Sequence, residues 1–255
     1  MNKIKAFSER NRKEILRDPL SYIFCLAFPL VMLIIMTIVD TSIPKEAVTV
    51  FHIDSLSAGV AVFGQTFVML FTSLTVSKDR SGSFLVRMYA SPMTSKDFTI
   101  GYILPMFIIS TVQSIIIYIA SFIISFITDV SLNVGGMLIS LIALIPSSIM
   151  FIGFGLLFGT LFNEKTAPGI CSIIISLGSF LGAIWFDADS TGGVMLKICK
   201  VLPFYYCTKS ARSAIKLDFG ADIFIIPIII VIASASVIGL LASLAFKSKM
   251  KADLS

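Results

Sequence analysis

The side chains able to bind a metal or attack a substrate are few, and their spacing serves neither purpose. The chain holds four cysteines, Cys25, Cys171, Cys199 and Cys207, and one histidine, His52. A zinc centre recruits three or four such ligands at short spacings, which this set does not provide. His52 reads as an ordinary loop residue. Cys199 and Cys207 flank Pro203, and a disulfide between them requires a tight reversal; two free thiols are the simpler reading. The sequence has no G-x-x-x-x-G-K-[ST] loop for ATP phosphates, no H-E-x-x-H pair and no G-x-S-x-G turn. No catalytic residue, metal ligand or resident cofactor is therefore expected in this chain. What remains are neutral polar groups inside long apolar runs, of which Gln65 and Gln113 are the largest. They either line a substrate path or hydrogen-bond neighbouring helices. No Asp, Glu, Lys or Arg stands inside those runs, so a proton relay is not expected to drive the protein.

The elements that carry these residues follow from composition. Of 255 residues, 56% are hydrophobic and 14% charged, against about 25% charged in a typical soluble domain. Lipid-facing side chains account for such an excess. Six runs are long enough, or nearly so, to cross about 30 Å of hydrocarbon: Leu20–Val39, Ala58–Val76, Ile100–Ile127, Met137–Phe162, Ala167–Phe186 and Ile223–Phe246. The fourth and fifth form a hairpin with Asn163, Glu164 and Lys165 at its tip. The expected fold is an all-α integral membrane protein, one transmembrane domain over residues 1–255. It has six transmembrane helices, an N-terminal interfacial amphipathic helix, and short re-entrant or interfacial helices before the last span. The first run is read as a retained span, because no small-x-small cleavage site follows it.

With the N-terminus inside, 14 of the 20 basic residues fall in cytoplasmic segments, the bias expected for both termini cytoplasmic in a plasma or inner membrane. The net charge of +5 flanks the apolar runs and forms no stripe for nucleic acid. The outer segment Asp187–Asp222 carries five of the other six basic residues, and is either interfacial or a solvated loop. Lys3–Asp18 sets Ile4, Phe7, Ile15 and Leu16 among charges. It is either an amphipathic helix on the membrane face or a basic flank that only fixes topology. Pro19 suits the first turn of the span that follows. In the loop 77–99, Ser81 can cap a short helix with Phe84, Leu85, Met88 and Tyr89 on one face and Arg87 off it, ended by Pro92. Thr94 or Ser95 can cap the next helix, with Asp97 in its first turn. This loop is either a docking element for a cytoplasmic partner or a plain connection. The Gly155/Gly159 and Gly178/Gly182 pairs allow close helix approach, within one subunit or between two.

In order and spacing, three pieces resemble the membrane-spanning subunit of ABC type-2 transporters. They are the Arg17-Asp18-Pro19 lead with Pro29 in the first span, the loop from Lys78-Asp79-Arg80 through Gly82 to Ser91-Pro92, and Leu202-Pro203-Phe204-Tyr205 with Ala211-Arg212 before the last span. Family members often carry Glu-Arg-x-x-Gly-Thr in the loop; aligned on Gly82, this chain has Lys78-Asp79 and Ser83. The resemblance implies a permease without a catalytic site, paired with a second permease subunit, identical or related. Energy would come from a separate ATP-binding cassette ATPase that binds the ATP. Asp79, Arg80, Gly82, Phe84, Arg87, Ser91 and Pro92 would form the coupling contact, and Arg17, Asp18 and Pro19 the lead from the interfacial helix. The expected function is export of amphipathic or hydrophobic compounds such as drugs, antimicrobial peptides or lipids, with polysaccharide or lipid-linked glycan export as the alternative. An intramembrane enzyme would need polar catalytic groups at depth, which are missing, and a passive channel or sensor would have no ATPase encoded beside it.

Overall fold

The computed structural model describes residues 2–43, 49–82, 84–85, 93–128 and 130–252, and among these it is helical without strands. Helix α1 (Asn2–Arg17) leads into α2 (Pro19–Ser42). A single turn at Thr49–Phe51 precedes α3 (Ile53–Ser81), followed by α4 (Ser95–Thr128), α5 (Val134–Leu161) and α6 (Ala167–Leu181). Three short helices, α7 (Ala188–Thr191), α8 (Gly193–Val201) and α9 (Pro203–Ile215), precede α10 (Ala221–Lys249). Five helices, α2, α3, α4, α5 and α10, are long and apolar enough to cross a membrane; α6 is apolar but has 15 residues, about 22 Å at 1.5 Å per residue.

Local chemistry sets the ends. Asp18 caps α2, its carboxylate accepting from Leu20 N at 3.1 Å and Ser21 Oγ at 3.0 Å, while Pro19 occupies the first turn, where a missing N–H costs nothing. Pro29 cannot donate to the carbonyl of Cys25, and the turn before it widens into a π-turn over Ile23–Ala27. At the start of α4, the Asp97 carboxylate accepts from Thr94 N and Thr94 Oγ1, both at 2.8 Å.

The expected run Ala167–Phe186 stops early, at Leu181. Gly182 closes α6 and Ala183 turns left-handed at φ 53°. Ala183 N then donates to Phe180 O at 3.0 Å and Ile184 N to Ser179 O at 3.3 Å, the bond pattern of a Schellman stop. Ser81 also departs from its expected role. Instead of starting a loop helix it ends α3, which runs five residues past Val76, its hydroxyl lying 3.1 Å from Lys78 O.

Helix α3 is the most enclosed span and α2 and α10 the most exposed. The core is chiefly α3 against α5, with α10 on the other side of α5. Gly155 and Gly159 make the first contact possible. A Cβ on them would stand 2.4 Å from Met69 O and 2.6 Å from Ser73 O, so this pair packs within the chain. Gly178 has only ordinary van der Waals neighbours.

Candidate functional site

The residues of interest gather where α1, the end of α3 and the start of α4 meet. On α1, Phe7, Asn11 and Ile15 are four residues apart, share one face, and are all buried. Asn11 Nδ2 donates to Gly101 O on α4 at 3.2 Å. A Cβ on Gly101 would sit 2.4 Å from the Phe7 ring, so the glycine admits that ring. Phe7 meets Tyr102 and Phe98 edge-on, at 5.0 and 5.3 Å between centroids. Phe98 and Tyr102 in turn touch Phe246 of α10.

Beside this aromatic cluster lies a buried charge pair. Asp79 is 3% exposed. Arg10 grips it with two bonds, Nη1 to Oδ2 at 2.5 Å and Nη2 to Oδ1 at 2.8 Å, the paired geometry that suits guanidinium to carboxylate. Tyr102 Oη donates to the same Oδ2 at 2.7 Å. Burial lowers the Arg10 pKa, but the hydrogen bonds and charge of Asp79 outweigh it and the net shift is upward. Glu14 forms an ion pair with Arg10 at 2.7 Å and accepts from Lys78 at 3.1 Å. Arg80 donates to the carbonyls of Gly159 and Thr160 near the end of α5, and Ser81 Oγ donates to Glu164 at 3.0 Å. The end of α3 is thus tied to α1, α4 and the α5–α6 hairpin. Phe84, just beyond it, stacks on Phe7 and carries the Arg10 guanidinium 4.1 Å over its ring, a cation–π contact.

Of the expected coupling residues, the structure brings Asp79, Arg80, Gly82 and Phe84 together at this junction. Arg87, Ser91 and Pro92 lie outside the described residues. Asp79 is turned inward onto α1 rather than out toward a partner. Asp18 and Pro19 shape the α1–α2 corner, while Arg17 is exposed beside them. Arg10, Asn11 and Tyr102 were not singled out from the sequence, and Glu164 was placed there only as part of the hairpin tip. The four-residue spacing of Phe7, Asn11 and Ile15 was the available signal, and the polar Asn11 in the middle of the stripe hid it.

Gln65 and Gln113 sit elsewhere, fully buried between spans. Gln65 accepts from Ser147 Oγ at 2.6 Å and donates to Ser148 Oγ at 2.8 Å, both on α5. Gln113 Nε2 donates to Ala61 O at 3.4 Å and fits only because residue 64 is glycine. Both hold helices together inside the chain.

The opposite end is built differently. Arg212 of α9 donates to three backbone carbonyls: Ser55 O at 3.1 Å, and Ala183 O and Ile184 O at 2.9 Å each. Burial pulls its pKa down to about 10, against the opposing charges of Asp187, Asp54 and Asp189. Lys216 pairs with Asp54 at 3.2 Å and Lys209 with Asp189 at 3.2 Å. All four cysteines are free thiols, and among the described residues no group of His, Cys, Asp and Glu is placed to hold a metal.

With this architecture in place, the comparison with known proteins is decisive at the family level: residues 2–216 match the sequence model of the ABC-2 type transporter. The chain belongs to that family. No individual curated protein matches it significantly. As an ABC-2 type transporter it is an integral membrane permease, and its family works with an ATPase subunit. The match spans the junction, the α5–α6 hairpin and the Arg212 end, so all three are parts of the ABC-2 type permease domain.

Proposed function

We propose that this chain is the permease subunit of an ATP-driven exporter for amphipathic or hydrophobic compounds, itself without catalytic activity. A separate ATPase subunit binds the ATP and docks on the loop 77–99, and a second permease subunit completes the pathway. The observation that carries this reading is the Arg10–Asp79–Tyr102 lock beside Phe84. A push on the loop reaches Phe84, and through Arg10 and Asp79 it is delivered to α1, α3 and α4 as one body. Packed elements of this kind switch between arrangements rather than bend.

The membrane is the plasma or inner membrane, with both termini cytoplasmic and six crossings. Helix α6 supports the sixth. It starts at the hairpin bonded to Ser81 and ends at carbonyls held by Arg212 beside Ser55, so it runs from one end of α3 to the other. The helices α7–α9 lie at the outer membrane face.

The test is Arg87→Glu, with membrane expression, ATPase pull-down and efflux measured together. A charge reversal at an exposed connecting position changes stability by less than about 0.5 kcal/mol. Breaking a buried charged contact at a docked surface costs on the order of 2–5 kcal/mol. Normal expression with lost pull-down or lost efflux is expected. Unchanged pull-down and efflux would reduce the loop to a connection.

A further inference from the structure

We propose that the short helix α8 is an anchor seated in the lipid of the outer leaflet, resting on the arrangement above in which α7–α9 lie at the outer membrane face. Val194, Ile198 and Val201 lie among the acyl chains, and Lys197 and Lys200 stand at the headgroups.

The residues of α8 divide its surface into three sides. At about 100° per residue, Val194, Ile198 and Val201 fall within an arc of about 60°. Lys197 and Lys200, three residues apart, share the side next to it. Met195, Leu196 and Cys199 take the remaining side. That last side is inside the protein: Cys199 is fully buried, and the three pack with Ala183, Ala188 and Tyr205. The first side is bare, with Val194 73%, Ile198 46% and Val201 80% exposed. Two left-handed glycines, Gly192 at φ 63° and Gly193 at φ 58°, break α8 from α7 and set its direction. A helix lying in a membrane interface turns its charged side to water and its apolar arc to hydrocarbon. On α8 the protein covers one part of the apolar arc, and lipid covers the other. The lysine stems follow the apolar surface and carry their ammonium groups up to the headgroups.

The surroundings of α8 fit a lipid occupant. On α6, Ile173, Leu177 and Phe180 form an exposed stripe at spacings of four and three, the pattern of a lipid-facing side. Phe180 meets Phe186 at 6.0 Å between centroids. Phe186 packs on the same cluster that holds Met195 and Leu196, so the apolar surface of α6 continues to α8. Aromatic residues set the level. Trp185, the one tryptophan of the chain, stands just past the end of α6, and Tyr205 and Tyr206 open α9. Tyr206 Oη donates to Lys200 O at 2.9 Å. Tryptophan and tyrosine concentrate where headgroups meet hydrocarbon.

Collision measurements on nitroxide labels test this. All four native cysteines are buried, so one exposed cysteine can be labelled in the otherwise native full-length chain. The positions are Val194 and Val201 on the bare side, Lys197 on the charged side, and Ile229, exposed on α10, as the lipid-facing reference. The protein is placed in phosphatidylcholine nanodiscs and exposed to oxygen, which concentrates in hydrocarbon, or to a nickel chelate, which stays in water. Labels at Val194 and Val201 should collide mainly with oxygen, as at Ile229, and the label at Lys197 mainly with nickel. Nickel-dominated collisions at Val194 and Val201, with oxygen-dominated collisions at Ile229, overturn the proposal by putting α8 in water. Few collisions with either reagent overturn it by putting a protein surface, such as the second permease subunit, on the bare side. Nickel-dominated collisions at Ile229 overturn it together with the membrane placement of α10. The unlabelled wild type gives a check that no variant can spoil. Phosphatidylcholine with a photoreactive diazirine near the head of its acyl chain should crosslink to the segment 194–201, and crosslinks to α10 without any there overturn the proposal.

Discussion

The two ends of the bundle solve the same problem, an arginine taken out of water, by different means. At the loop end, Arg10 meets a carboxylate that is itself shared with Tyr102. Three helices distant in sequence are joined by side chains alone. At the other end, Arg212 meets backbone carbonyls, and two of the three belong to residues just past the end of α6. Here the charge satisfies two carbonyls of the turn that follows α6 and one in the first turn of α3. The first arrangement joins whole helices and can move as a unit. The second pins places where the chain breaks, and both left-handed non-glycine residues among the described ones, Ala183 at φ 53° and Leu217 at φ 56°, lie near it. One arginine thus links helices, and the other fixes a break between them.

Substitutions can separate the two ends. The largest effect is expected for Arg212→Met. Three carbonyls lose their donor at roughly 1 kcal/mol each, so a loss on the order of 3 kcal/mol follows. It should appear as a lower melting temperature and faster amide exchange in 183–216. A variant with wild-type exchange there would show that the guanidinium supports nothing. Next is Asp79→Ala, which strands Arg10 and the Tyr102 hydroxyl. Because Arg10 is about one-third exposed, the usual cost of breaking a buried pair is discounted to about 2–3 kcal/mol. Exchange should rise in 2–17 and leave 203–215 unchanged; a rise spread evenly over the protein would dissolve the distinction between the ends. Smaller, and of opposite sign, Ala183→Gly and Leu217→Gly should each stabilise by about 1 kcal/mol, since a Cβ in the left-handed region costs roughly 1–2 kcal/mol. A drop in melting temperature for both would argue against strain at that end. Last, Arg12→Ala removes an exposed ion pair with Glu9 and should leave melting unchanged.

The sequence announced the spans more readily than the junction. Apolar runs of about twenty residues place α2, α4, α5 and α10 within a few residues, because the bilayer demands length and hydrophobicity and little else. The runs missed what polar residues do at helix ends. Helix α3 extends through Lys78, Asp79 and Arg80, whose charges are met by α1 and α5. Helix α6 stops at Leu181 although Ile184, Trp185 and Phe186 continue the apolar pattern, because Gly182 and Ala183 turn the chain. Asp79 could be named from the sequence as part of a family loop. Its partner Arg10 lies 69 residues away, and nothing local pairs them. Gln65 and Gln113 were ambiguous, since a hydrogen-bonding glutamine and a solute-binding one look alike until their neighbours are known.

In the proposed arrangement the two ends face opposite sides of the membrane, the loop end inside. Single cysteines at Lys165, in the hairpin beside Ser81, and at Ser190, beside the Arg212 end, should be introduced into a cysteine-free background. Intact cells are then treated with a membrane-impermeant thiol reagent, before and after permeabilisation. Ser190→Cys should label in intact cells and Lys165→Cys only after permeabilisation. Labelling of Lys165→Cys in intact cells with protection of Ser190→Cys would invert the orientation, and labelling of both would remove α6 as a crossing.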